Sequence, residues 1–86
     1  MEVAISKMRL YNGPKTKAFF DLLYGKLIIS GFKIVNGNQG RFISWPREKG
    51  KNEQWYNTVM CNDPFLAKEI ENLAYTEYKK ITEGGR

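Results

Sequence analysis

Apolar and polar residues alternate through most of the first sixty positions, and a two-residue period is typical of β-strands that bury one face. We expect five strands, at residues 2–11, 17–24, 27–35, 41–45 and 54–61. Gly, Pro and Asn separate them, and the Asn-Gly pair before the fourth strand suits the left-handed backbone of a hairpin turn. The front of the chain is therefore predicted to be an antiparallel sheet.

The third predicted strand contains a glycine that bears on its packing. Strict alternation places Ile28, Phe32 and Ile34 on one face of the strand and Ile29 on the other. Gly31 lies between them, and a glycine inside a strand is typical of a bulge or a close backbone approach.

The segment after the fourth strand is polar. Residues 47–53 alternate basic residues with Glu, Gly and Asn, and we predict a flexible loop.

The period changes to that of a helix after residue 62. Asp63 is a suitable N-cap and Pro64 a suitable first helical residue. Apolar residues then recur three and four positions apart, at Leu66, Ile70, Leu73, Ala74 and Ile81. We predict a helix over residues 64–82, and hence a single α+β domain over residues 1–86 with the order βββββα.

Charge is distributed unevenly along the chain. Residues 1–51 hold ten Lys and Arg against three acids, a net +7, whereas residues 52–86 hold four against six, a net −2. The excess positive charge therefore belongs to the predicted strands and loops. A basic surface of this kind is typical of proteins that bind polyanions such as nucleic acids.

Composition argues against several other classes of function. The chain has no histidine, so it cannot form a Ser-His-Asp or Cys-His catalytic pair. Cys61 is the only cysteine, which rules out an internal disulfide and favours a reducing, cytoplasmic location. No apolar run is long enough to span a membrane. We expect a binding protein without metal, cofactor or enzymatic activity.

The candidates for phosphate contact are the basic residues of the predicted strands and loops. They are Lys7, Arg9, Lys15, Lys17, Lys33, Arg41, Arg47, Lys49 and Lys51. Any one of them can instead be an ordinary solvent-facing residue, since lysine on a strand also discourages aggregation. Trp45, Trp55 and Tyr56 flank the basic loop, where an exposed ring can stack on a base. Aromatic residues in a small domain also serve as core or interface residues, so both interpretations stay open.

A motif in the middle of the chain resembles a known family. Residues 37–46 have the form Gly-Asn-x-Gly-x-Phe-x-x-x-Pro, and they follow an apolar stretch at residues 27–35. Near the end of the predicted helix, Glu77 and Tyr78 precede two lysines. This pattern is similar to that of the stage V sporulation protein G (SpoVG) family of bacterial septation and sporulation regulators, over most of the chain.

The resemblance implies a cytoplasmic homodimer that binds DNA, and RNA in some members, without cofactor or enzymatic activity. It also implies nucleic-acid contacts near the start of the helix, at residues 63–69, where Lys68 is the basic residue. The departures from the family pattern concern sequence preference rather than fold. The family's basic loop is of Ser-Lys-Arg type, whereas this chain has Arg47-Glu48-Lys49, in which Lys49 is the clear match. Met60-Cys61 stands where the family has His-Pro, and the loop after the first strand is shorter, at residues 12–14.

Two hypotheses of function follow. The first is a dimeric regulatory protein that binds nucleic acid through its basic strands and loop. The alternative is a protein-interaction adaptor in cell division, in which the aromatic surface makes the contacts and the charge provides solubility.

Overall fold

The computed structural model describes residues 2–84, and Met1, Gly85 and Arg86 lie outside the described part. Six strands precede one helix: β1 (Val3–Leu10), β2 (Thr16–Tyr24), β3 (Leu27–Gly37), β4 (Gly40–Ser44), β5 (Arg47–Lys49), β6 (Trp55–Asn57) and α1 (Pro64–Gly84). The first four strands form an antiparallel sheet in the order β1-β2-β3-β4, and β5 pairs with β6 in a separate small sheet. The predicted α+β class with a C-terminal helix is confirmed.

The small sheet differs from the prediction. Residues 47–49 were expected in a loop, yet they form β5, whereas the fifth predicted strand shortens to the three residues of β6. The pairing joins Glu48 to Tyr56, and a turn closes the hairpin with Glu53 in the left-handed region at a φ of 66°. An Arg-Glu-Lys triplet has no apolar alternation, so the strand depends on its partner and leaves no local signal in the sequence.

A bulge in β3 changes which isoleucine reaches the core. Phe20 pairs with Phe32 but Leu22 pairs with Ile29, so one extra residue of β3 lies between these pairs. Gly31 occupies the bulge at a φ of +104°, a conformation that residues with a side chain rarely adopt. The assignment of Ile28 to the core face was wrong: Ile28 is 54% exposed and Ile29 packs against the core.

The core lies between one face of the four-stranded sheet and the helix. It consists of apolar residues from β2, β3 and α1: Ala18, Phe20, Leu22, Phe32, Ile34, Ile70 and Ala74. Two aromatic contacts lie at its centre. The ring centroid of Phe32 is 5.0 Å from that of Phe20 and 5.0 Å from that of Trp45. Each aromatic side chain contributes a large buried area, which a domain of this size needs for stability.

The helix begins where the sequence predicts. The backbone N–H of Phe65 donates to Oδ1 of Asp63 at 3.0 Å, so Asp63 caps the helix. Ile70 and Ala74 are buried, and Tyr75 and Tyr78 also pack against the core. Residues 2–84 include no helix that is both long and apolar enough to cross a lipid bilayer.

Replacing Gly31 with Ala should destabilise the fold more than replacing Gly40 with Ala. Both glycines have a positive φ, 104° and 122°, so both substitutions strain the backbone by about 1–3 kcal/mol. A Cβ at Gly31 would also lie 3.2 Å from Cβ of Pro46, whereas a Cβ at Gly40 meets no atom within 4 Å. Urea unfolding of the two variants measures the difference. Equal losses of unfolding free energy would show that the contact with Pro46 relaxes without cost.

Candidate nucleic-acid interface

The face of the sheet opposite the helix carries several of the predicted basic residues. Its side chains come from the positions that alternate with the core. We give the name open face to the part that carries charge: Lys7, Arg9, Phe19, Asp21, Lys33 and Ser44. Arg9 pairs with Phe19 and Phe19 pairs with Lys33, so these three residues lie in one row across three adjacent strands. Neighbouring strands are about 4.8 Å apart, which sets the spacing along the row.

Phe19 is the centre of the contacts on the open face. The Lys33 ammonium nitrogen lies 5.8 Å from the centroid of the Phe19 ring, within the range of a cation–π contact. The ring of Tyr11 meets the same ring edge-on, with 5.1 Å between centroids. Lys7 and Arg9 border a small depression of about 80 Å³ beside Phe19. Cations thus surround one aromatic side chain.

The open face has a positive net charge. Lys7, Arg9 and Lys33 provide three cations and Asp21 one carboxylate, a net charge of +2. Lys7 and Arg9 are exposed to solvent and Lys33 is half-buried. Binding a phosphate there therefore requires little desolvation of the lysine and arginine groups.

The hairpin of β5 and β6 holds a second group, which we call the basic hairpin: Arg47, Lys49, Lys51 and Trp55. The Arg47 guanidinium carbon lies 5.6 Å from the centroid of the Trp55 ring, and Trp55 is 57% exposed. Nζ of Lys49 lies 2.9 Å from a carboxylate oxygen of Glu53. An exposed ion pair of this kind contributes at most about 1 kcal/mol, so a phosphate can replace the carboxylate.

Two predicted residues point instead toward the helical side of the molecule. Nζ of Lys17 donates to the carbonyl oxygen of Gly13 at 3.0 Å, and Lys17 lines a groove with Tyr78. Nε of Arg41 donates to Oδ1 of Asn36 at 3.1 Å, and its guanidinium carbon lies 5.0 Å from the Tyr78 ring centroid. Both side chains have partners within the fold.

Lys15 and Lys68 lie outside both groups as well. Lys15 is exposed in the turn before β2, where its carbonyl accepts the backbone N–H of Asn36 at 2.8 Å. Nζ of Lys68 lies 3.0 Å from a Glu71 carboxylate oxygen near the start of the helix. The ten predicted residues therefore do not form one surface: the open face and the basic hairpin hold three each.

Phe19 is not among the site residues predicted from the sequence. The predicted aromatic candidates are Trp45, Trp55 and Tyr56, which flank the basic segment, and the structure separates these three. Trp45 packs against Phe32 in the core, whereas Trp55 and Tyr56 are 57% and 50% exposed. Phe19 alternates with the buried Ala18 and Phe20, and an aromatic residue at a solvent-facing strand position was the available signal.

A groove of about 620 Å³ runs between β4 and the start of the helix. We call it the apolar groove; its apolar lining residues are Phe42, Ile43, Trp45, Val59, Met60 and Ala67. Met60 is 78% exposed and Phe42 is 47% exposed. Since β4 is the last strand of its sheet, no strand within residues 2–84 pairs with its outer edge. The groove thus combines exposed apolar side chains with an unpaired strand edge.

Tyr75 connects the helix to β4. Its hydroxyl donates to the carbonyl oxygen of Arg41 at 3.1 Å. Burial raises the pKa of Tyr75, and the Glu71 carboxylate raises the pKa further, while Arg41 and Lys68 oppose the shift. The folded protein therefore favours the neutral phenol, which can donate this hydrogen bond.

Fold and surface together define a small α+β domain with a helix on one face of its sheet and a basic, aromatic-containing surface on the other. A curated protein of Fusobacterium nucleatum subsp. nucleatum is 30% identical over 82 residues, which cover 91% of this chain and 88% of that protein. One of Symbiobacterium thermophilum is 27% identical over 78 residues, covering 90% of this chain and 56% of that protein.

Both proteins carry the provisional name septation protein SpoVG. The chain belongs to the SpoVG family, which confirms the resemblance seen in its Gly-Asn-x-Gly-x-Phe-x-x-x-Pro motif. It spans a little over half the length of the Symbiobacterium relative. No family model matches the chain.

Replacing Tyr75 with Phe should lower the free energy of unfolding at pH 7 by about 0.5–1.5 kcal/mol, the value of one hydrogen bond. The deficit should shrink as the pH rises above 10.0, the ordinary pKa of tyrosine, because the unfolded state then loses the Tyr75 proton before the folded state does. Urea unfolding of both proteins between pH 7 and pH 11 measures the difference, in which the other titrating groups cancel. A deficit that stays constant or grows would contradict the raised pKa.

Proposed function

We propose that this protein is a nucleic-acid-binding regulator that holds phosphates through its basic strand and hairpin residues. The observation that carries the proposal is the positive open face, where Arg9, Phe19 and Lys33 share one row. The basic hairpin supplies a second group of cations beside an exposed indole. Family membership supports a role linked to septation or sporulation, since both relatives are named for septation.

Phosphate contact accounts for the chemistry of these two groups. Each lysine or arginine that neutralises a phosphate releases a condensed counterion, and this release drives binding to any sequence. The exposed cations of the open face and the basic hairpin lie within reach of a polyanion in solution. DNA and RNA share this backbone chemistry, so the proposal covers both.

The proposed role is binding without catalysis, in the cytoplasm. The absence of histidine from the sequence supports the first part, as does the spacing of its acidic residues, which does not match that of a catalytic acid–base dyad. The single cysteine, which suits a reducing compartment, supports the second.

The proposed regulator is a homodimer joined at the apolar groove. Met60 leaves 78% of its surface exposed at a groove whose lining is largely apolar, and the adjoining outer edge of β4 is unpaired. A second copy would cover both features. The buried core has seven residues, and small domains often gain stability from association.

The same groove favours a second candidate function, a protein-interaction adaptor in cell division. An exposed apolar groove beside an open strand edge can bind another protein as well as a second copy. In that case the open face serves solubility and binds no nucleic acid.

Charge removal from either basic group should weaken binding to nucleic acid. We expect the triple variant Lys7→Gln, Arg9→Gln, Lys33→Gln and the triple variant Arg47→Ala, Lys49→Ala, Lys51→Ala each to bind DNA less tightly. Each should also reduce the slope of log affinity against log salt by up to about 2.7, since one duplex phosphate contact contributes about 0.9. Fluorescence anisotropy with mixed-sequence DNA and RNA, over a series of salt concentrations, measures both quantities.

A triple variant with Lys26, Lys79 and Lys80 changed to Gln is the matched control, because it removes the same charge from exposed positions outside both groups. It should leave the salt slope unchanged. An equal loss of slope in the control would show that binding depends on the net charge of the protein and not on the positions of these residues. Wild-type protein that binds no nucleic acid at low salt would leave the adaptor as the better candidate.

Replacing Met60 with Glu should convert the dimer to a monomer, because it places a charge in the apolar groove. Light scattering coupled to size-exclusion chromatography should give twice the chain mass for the wild type and the single chain mass for the variant. Leu27→Glu is the control, since Leu27 is 63% exposed on β3 and lies outside the groove. A monomeric wild type would reject the dimer, and dissociation by Leu27→Glu alone would place the interface elsewhere.

A further inference from the structure

The row of Arg9, Phe19 and Lys33 is more specific than phosphate binding requires. Its members face each other directly across β1, β2 and β3, with the aromatic ring between two cations. Phosphate neutralisation uses the cations alone, and a polar residue at position 19 would serve it equally well. The aromatic ring of Phe19 therefore suits a ligand with a flat group that can stack on it.

Phe19 is also placed outside the core. The buried cluster of the protein contains Phe20 and Phe32 but not Phe19, which lies half-buried on the open face. Its ring contacts are Tyr11, edge-on, and the Lys33 ammonium group at 5.8 Å from the ring centroid. Lysine has a long, flexible side chain, so its ammonium group can leave the ring and pair with a phosphate when a flat ligand group arrives.

A nucleobase is the group that combines a stacking surface with neighbouring phosphates. In a duplex, the faces of the bases are occupied by the bases above and below. The open face is also too broad for the major groove, because four strands span about 14 Å and the groove, about 12 Å wide, admits a helix or a two-stranded ribbon. A single strand exposes its bases and can use ring and cations together.

We infer that the open face binds single-stranded nucleic acid, with one base stacked on Phe19 and the flanking phosphates held by Arg9 and Lys33. The inference rests on the proposed function and deepens it, because it names the strand state of the ligand. DNA and RNA share the required chemistry, and the experiment uses both.

Asp21 determines the path of the strand across the face. It pairs with Lys7 across β1 and β2, two pairs along from the row that contains Phe19. Its carboxylate repels phosphates and balances the charge of Lys7, so the nucleic-acid backbone follows Arg9 and Lys33. Asp21→Asn removes this repulsion and should raise the affinity for a single strand, whereas Glu83→Gln, exposed at the end of the helix, should not.

The decisive variant is Phe19→Leu, which keeps an apolar side chain but removes the ring. Fluorescence anisotropy with a mixed-sequence 12-nucleotide DNA strand, the matching RNA strand and the matching DNA duplex tests it. We expect the variant to lose about 5- to 150-fold in affinity for both single strands, the range measured for one stacked base. Its affinity for the duplex should change less than twofold. Tyr24→Leu is the matched control, because Tyr24 is a half-buried aromatic residue at the far end of β2, outside the open face and the basic hairpin.

A strand with abasic positions separates stacking from other effects of the substitution. If Phe19 stacks on a base, the wild type should bind the abasic strand more weakly than the intact strand. Phe19→Leu should then cause no further loss with the abasic strand, because the two changes remove the same interaction. An equal loss with both strands would point to altered folding of the variant, and this result would overturn the inference.

The outcomes distinguish this inference from the proposed function. Wild-type protein that binds no strand and no duplex at low salt would reject both. Salt-dependent binding of strand and duplex that Phe19→Leu leaves unchanged would keep the proposed function and overturn the stacking role. A selective loss of single-strand affinity in Phe19→Leu, absent in Tyr24→Leu, would support the inference.

Discussion

The packing of one helix against one face of the sheet is the constraint on which the rest of the structure depends. Phe20 and Phe32 lie opposite each other on adjacent strands, and Ile70 and Ala74 cover them from the helix. This contact buries the apolar stripe of the only helix in the described residues. The other face of the sheet consequently stays open, and the residues that alternate with the core define its chemistry.

The bulge at Gly31 lets β3 contribute side chains to both faces of the sheet. With the bulge, Ile29 and Phe32 both face the core, and Lys33 lies opposite Phe19 on the open face. Pro46 packs against the same glycine, at the point where the chain leaves β4 and enters the hairpin. One glycine thus connects the core, the row of site residues and the start of the basic hairpin.

The two basic groups and the apolar groove adjoin one another, since Ser44 of the open face and Arg47 of the basic hairpin also line the groove. The cations of the open face and of the basic hairpin each accompany an aromatic ring, Phe19 or Trp55. The groove beside β4 is apolar and adjoins an unpaired strand edge.

The sequence by itself determined the α+β class, the strands from β1 to β4, the cap at Asp63 and the concentration of positive charge before residue 52, because local periodicity and composition specify these features. It also resembled its family closely enough to be identified. Only the tertiary structure decided that Ile29 rather than Ile28 faces the core, because a bulge reverses the alternation beyond it. Tertiary structure likewise divided the ten basic candidates among separate surfaces and placed Phe19 between Arg9 and Lys33. Strand register decides which side chains meet, and register depends on contacts between residues far apart in the chain.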